Sequence, residues 1–168
     1  MSKLPYIQPN KDKHYNLGII LILLNRLSRT KRGKLNITIE RLQIFYFLVT
    51  RPVLMNQVLS LAGKKVKELD EVDVYSVNTI SQNVDELFDK NKIRILLKEL
   101  ISYDYIDVHF NEKDGFLFEL NDIGKSKVEE LNSGYFIKIM KFSESLSLLL
   151  SESTSKLNSY INVNLTQR

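Results

Sequence analysis

Apolar residues recur along this chain at helical spacing almost from its start. From about Asn16 to Ser28, Leu17, Ile20, Leu21, Leu24 and Leu27 share one stripe, while Ile19, Ile22 and Leu23 make most other faces apolar too. A helix of that kind either threads a core or meets another chain. The polar stretch Arg29–Lys34, with Gly33, ends it. Thr38 suits the N-cap of a second helix running to about Thr50, with Leu42, Phe45, Tyr46 and Val49 inward. Arg51-Pro52 breaks that helix, and Pro52 fits the first turn of a third helix through Leu61, closed by Ala62-Gly63. Lys64 to Asp73 is charged and aperiodic, the pattern of an exposed connection.

The pattern is most informative from Ser81 to Leu131. Ser81 to Phe88 predicts a short helix, and Asn91 opens another whose inward stripe is Ile93, Leu96, Leu97, Leu100 and Ile101. Tyr105 to Phe110 and Phe116 to Leu120 are rich in β-formers and flank a turn that ends in Asp114-Gly115, a strong hairpin signal. Asn121 then caps a helix from Asp122 to Leu131. Helix, helix, hairpin, helix is the order of the recognition half of a winged-helix domain, with the helix before Pro52 supplying its first helix. The expected fold is mainly α with a small β-hairpin: a winged helix with additional N- and C-terminal helices.

Tyr135 to Ile161 reads as one long helix. Tyr135, Ile139, Phe142, Leu146 and Leu149 alternate spacings of four and three, as in a helix-pairing seam. Ser153 interrupts the seam, and Leu157 and Ile161 resume it one residue out of step. The seam fits packing across the chain's own domain as well as a homodimer or partner contact. Three regions follow: a loosely ordered arm over 1–15, a winged-helix domain over 16–134, and a long helix with a tail over 135–168.

Composition supports this picture. The chain is 43% hydrophobic and 26% charged, the balance of a folded protein, and its six glycines and three prolines favour packed helices over long loops. It has no cysteine, which excludes disulfides and thiolate metal sites and fits a reducing compartment. The most apolar run, Leu17 to Leu24, is eight residues long, against roughly 20 for a membrane span. Lys11 and Lys13 precede it as in a signal peptide, but Asn25, Arg26 and Arg29 follow instead of a small-residue cleavage site. The expected location is the cytoplasm, with no membrane partner.

Charge is unevenly placed. Residues 1–34 carry eight Lys/Arg against the single Asp12, a local +7. Arg26, Arg29, Lys31, Arg32 and Lys34 lie together with no acidic residue among them. They read as a solvated loop, a phosphate-backbone contact or a dock for an acidic surface. Arg94 and Lys98 are further candidates for phosphate contact. However, Thr79 to Leu131 holds seven basic and 12 acidic residues, and a net-negative module begins at a disadvantage on a polyanion. Lys92, Arg94 and Lys98 can instead balance Asp89 and Glu99 on a solvated face. The turn makes the same point, since Glu112 and Asp114 flank Lys113.

Catalytic chemistry is thinly represented. His109 sits among strand neighbours and His14 in the basic arm, neither with a second ligand at metal spacing. Gly63-Lys64 lacks the upstream glycine and following Ser/Thr of a phosphate loop. Asp70, Glu71 and Asp73 read as a solvated charge run. No serine has the flanking glycines of a nucleophile elbow. No enzyme, metal or cofactor is expected.

Two further stretches carry a resemblance: "LNRLSRTKRGKLNITIERLQIFYFLVTRP" (Leu24 to Pro52) and "YFIKIMKFSESLSLLLSESTSKLNSYI" (Tyr135 to Ile161). With Ser81 to Leu131 they resemble the small middle components of bacterial ABC-three component systems, encoded between an SMC/Rad50-like ATPase and an effector. Lamassu-type antiphage complexes belong to this broad group. The resemblance implies a non-catalytic accessory subunit that binds the ATPase and the effector, with any DNA backbone contact made within the complex. Leu17, Leu21 and Leu24 on the first helix, and Tyr135, Phe142, Leu146 and Leu149 on the last, are the expected protein-contact residues. A dimeric winged-helix transcription regulator is the alternative. On the accessory reading, Leu21→Asp or Leu146→Asp would disrupt a partner surface.

Overall fold

The computed structural model describes residues 12–75 and 85–166. In chain order come α1 (Lys13–Leu27), α2 (Ile39–Val49), α3 (Pro52–Leu61) and the single turns α4 (Glu71–Val74) and α5 (Asp85–Phe88). Next are α6 (Lys90–Ser102), β1 (Ile106–Asn111), β2 (Gly115–Leu120), α7 (Asp122–Glu129), α8 (Gly134–Leu146) and α9 (Thr154–Thr166). The chain is mainly helical with one antiparallel hairpin. Residues 13–15, expected in the arm, already belong to α1, because Asp12 caps it by accepting the His14 amide at 2.8 Å. Residues 1–11 of that arm, and residues 81–84 of the expected short helix, lie outside the described residues.

Two buried helices organise the core. α1 is buried continuously from Asn16 to Leu24 and packs against α2, α6, α7, α8 and β2. It threads the core, the first of the two outcomes open to a helix apolar all round. α2 is buried from Arg41 to Val49 and touches α1, α3, α5, α6, α8 and α9. Its buried Tyr46 and Gln43 side chains find partners in place, as burial demands. Tyr46 donates its hydroxyl to Asn16 Oδ1 at 2.6 Å, and the Gln43 amide donates to the Leu87 carbonyl at the end of α5. Arg51, buried before α3, lies over the Phe47 ring and reaches Glu86 at 2.7 Å.

The expected long C-terminal helix is broken. α8 ends at Leu146, a 3-10 turn covers Ser147–Leu149, and α9 starts at Thr154. Breaking a helix frees carbonyls that need donors, and α2 supplies one side chain for this. The buried Arg41 guanidinium donates to Glu152 O at 2.8 Å and Leu150 O at 3.3 Å, with the Asn36 amide adding a bond to Leu150 O at 3.4 Å. On the far side, Ser153 Oγ accepts the Lys156 amide at 3.3 Å and starts α9. The one-residue slip at Leu157 and Ile161 is the sequence trace of this break, and both residues are fully buried. α8 packs on α1, α2 and α3, and α9 on α2 and α3, so the region after 135 shares the core of the region before it.

The hairpin pairs Ile106 with Leu120 and Phe110 with Phe116. Asn121 caps α7 by accepting the Gly124 amide at 2.9 Å. A Cβ at Gly124 would lie 2.2 Å from the Tyr105 carbonyl oxygen, so only glycine lets α7 start this close to the hairpin. The Lys64–Asp73 connection is pinned more firmly than its charge suggests. Asn56 bonds both backbone groups of Lys67, and Lys138 reaches Asp70 at 3.0 Å and Asp73 at 2.8 Å. Among the described residues no single helix is long and apolar enough to cross a membrane. α2 and α3 pass that test only as a pair bent by 115°, and α2 lies in the core.

Candidate functional site

The N-terminal basic cluster folds into a tight turn. Arg29 and Leu35 form an isolated bridge, Asn36 N–H bonds Ser28 O at 2.9 Å, and Thr30 N–H bonds Lys34 O at 2.9 Å. Gly33 turns the tip at a φ of 78°, a left-handed conformation that favours glycine. The turn is anchored to the free edge of β2, where Phe118 N–H donates to Ile37 O at 3.0 Å. Arg29 is therefore engaged internally. Its guanidinium grips both oxygens of Glu119 at 2.8 Å and donates to Gly33 O at 2.7 Å. His109 Nε2 reaches the same carboxylate at 2.9 Å. The Arg29 hydrogen bonds hold the Glu119 carboxyl below the usual carboxylate range. Arg26 approaches Glu144 at 3.8 Å. Lys31, Arg32 and Lys34 remain exposed at the tip and make no ion pair among the described residues.

α6 presents a second group of cations. Asp89 is its cap, accepting the amides of Asn91 and Lys92 at 3.1 and 3.3 Å, so the helix opens at Lys90 rather than Asn91. Lys92 leans back over the Tyr46 ring at 4.9 Å, and desolvation pushes its pKa down. Glu99 is taken by Lys13 at 2.6 Å and by the Tyr103 hydroxyl at 2.9 Å, and the Lys13 bond lowers its pKa. The expectation that Asp89 and Glu99 balance Arg94 and Lys98 therefore fails, because both carboxylates are committed elsewhere. Arg94 and Lys98 are exposed on the outer face, together with Lys90. Ile93, Leu96, Leu97 and Leu100 are buried as expected, but Ile101 is exposed. At 100° per residue it falls on the same face as Lys90 and Arg94.

The apolar candidates lie elsewhere than expected. Leu17, Leu21, Leu24, Phe142, Leu146 and Leu149 are all buried in the chain's own core, and Tyr135 is half-buried between Tyr15 and Phe136. α1 and α8 satisfy each other, so the six buried residues offer no surface to another chain. Leu21→Asp and Leu146→Asp would damage the core rather than test a partner. Apart from Ile101, the exposed apolar residues on α6 and the hairpin are ones the helical stripes passed over. Ile95 on α6 is one, and the Phe110–Phe116 pair on the hairpin, with rings 5.2 Å apart, is another. Ile95 was legible as an isoleucine outside the α6 stripe. Glu119 as the partner of Arg29, 90 positions away, had no local signal.

The family model described as "ABC-three component (ABC-3C) system Middle Component 4" matches residues 27–159, most of the chain. No curated protein and no solved structure matches it.

Proposed function

Since the chain belongs to the middle component 4 family of ABC-three component systems, we propose that it is a non-catalytic accessory subunit of a bacterial antiphage defence complex. On this reading it works in the cytoplasm, binding an SMC/Rad50-like ATPase and an effector. The family match over 27–159 carries the proposal. The use of the titratable side chains agrees with it. Glu99, Glu119, Asp70 and Asp73 each hold a cation of this chain, as suits groups that stabilise a scaffold. The winged-helix reading of α6 and the hairpin belongs to the same proposal, with the module serving as a docking platform. Any DNA contact falls to Lys31, Arg32 and Lys34, whose charge is not neutralised within the described residues. Three phosphate contacts would give a shallow salt dependence, a log–log slope of about −2.7.

Co-expression with the large coiled-coil ATPase and the effector of its own system tests this. A stable complex surviving size exclusion at physiological salt is expected. Failure to form one, with tight binding of the isolated chain to a defined operator, would favour a transcription regulator. That alternative has lost its dimer element, because Leu146 and Leu149 are internal.

A further inference from the structure

The outer face of α6 combines two features that a solvated helix does not need. Lys90, Arg94 and Lys98 stand one turn apart along about 12 Å of helix. All three are exposed, and the two carboxylates nearest in sequence, Asp89 and Glu99, are occupied by the helix cap and by Lys13. Among the described residues none of the three makes an ion pair, so the face is a stripe of positive charge. Ile101, 41% exposed, lies within this stripe, and Ile95, 61% exposed, lies beyond its Lys98 edge. Two isoleucines on an otherwise polar surface gain nothing from water and would be covered at an interface.

We propose that this face docks an acidic amphipathic helix of a partner subunit, one that presents carboxylates at one-turn spacing beside aliphatic side chains. This rests on the accessory-subunit reading and assigns the surface it uses. Charge complementarity selects the partner's sign, and the isoleucines select its class. A phosphate backbone would use the three cations but leave Ile95 and Ile101 uncovered, whereas an acidic amphipathic helix buries both and pairs all three charges.

The chain has no cysteine, so Ile95→Cys can carry a benzophenone maleimide as its single label, attached to the isolated chain before the complex is assembled. Val72→Cys, at a residue 73% exposed on α4, is the control. Irradiation followed by peptide mapping should join position 95, and not position 72, to a carboxylate-rich amphipathic segment of the ATPase or effector. Arg94→Glu combined with Lys98→Glu should weaken assembly by about tenfold or more and leave the thermal midpoint of the isolated chain unchanged. A complex that assembles with position 95 cross-linked to nothing, to DNA, or no more than position 72 overturns the docking face and leaves the accessory role standing. Absence of any complex overturns both.

Discussion

α1 and α6 are the two helices whose sequence patterns make the clearest statements, and they end in opposite places. α1 holds the most apolar run of the chain, Leu17 to Leu24, and is buried almost throughout. α6 has one tidy apolar stripe, yet its other face shows three cations and two isoleucines to solvent. The contrast shows that hydrophobicity alone does not locate a binding surface. A highly apolar helix is what a core consumes first, and the surface left for partners is the remainder that internal packing did not cover. Charge behaves the same way. Arg29 belongs to the densest basic cluster but is clamped by Glu119, while Arg94, in a net-negative module, makes no ion pair among the described residues.

The largest test of this contrast is a matched pair of substitutions. Leu24→Asp places a carboxylate in the core and should cost more than about 4 kcal/mol, enough to unfold the chain. Ile95→Asp on α6 should change stability by no more than about 0.5 kcal/mol in urea denaturation. Equal losses would erase the distinction between the two helices. Gly124→Ala comes next. Its Cβ would overlap the Tyr105 carbonyl, and relief of that clash should cost about 3 kcal/mol and disturb the hairpin's position.

Arg41→Met probes how α2 holds the C-terminal break. Losing the donors to Leu150 and Glu152 should cost about 2 kcal/mol, with faster amide exchange confined to residues 150–157. The smallest effect is that of pH. Lys13 and Arg29 hold Glu99 and Glu119 below the usual carboxylate range, and the Asp73 amide together with Lys138 does the same for Asp70. Because their pKa values are lower folded than unfolded, these groups add stability above the ordinary carboxylate range and lose it as pH falls through the depressed values. The thermal midpoint should hold from neutral to about pH 5 and decline below about pH 4. Glu119→Gln should remove part of that decline, and its effect at neutral pH should be modest because Arg29 is half-exposed.

Much of the architecture was legible because it rests on local chemistry. Thr38, Pro52 and Asn121 act where their types require, at helix starts. The turn from Asn111 to Gly115 closes the hairpin within one residue of expectation, because Asn111 Oδ1 accepts the Asp114 amide at 2.6 Å. The exposure of Ile101 was not legible, because a stripe fixes which residues share a face but not where the neighbouring elements stop covering it. The break after Leu149 was written only as a phase slip. Nothing near it in the chain announced that Arg41, 109 and 111 positions away, would hold the freed carbonyls.

The candidate site divides along the same line. Sequence alone determined that Lys31, Arg32, Lys34, Arg94 and Lys98 are cations in polar settings, and that α1 and the C-terminal seam need apolar cover. Only the tertiary structure decided that α1 and α8 cover each other and that Glu119 neutralises Arg29 while Asp89 and Glu99 serve other partners. Caps, turns and periodicity act over a few bonds and are fixed by neighbours in the chain. Which charge is cancelled and which apolar face stays open depends on contacts between residues up to 90 or more positions apart, and those exist only once the core has formed.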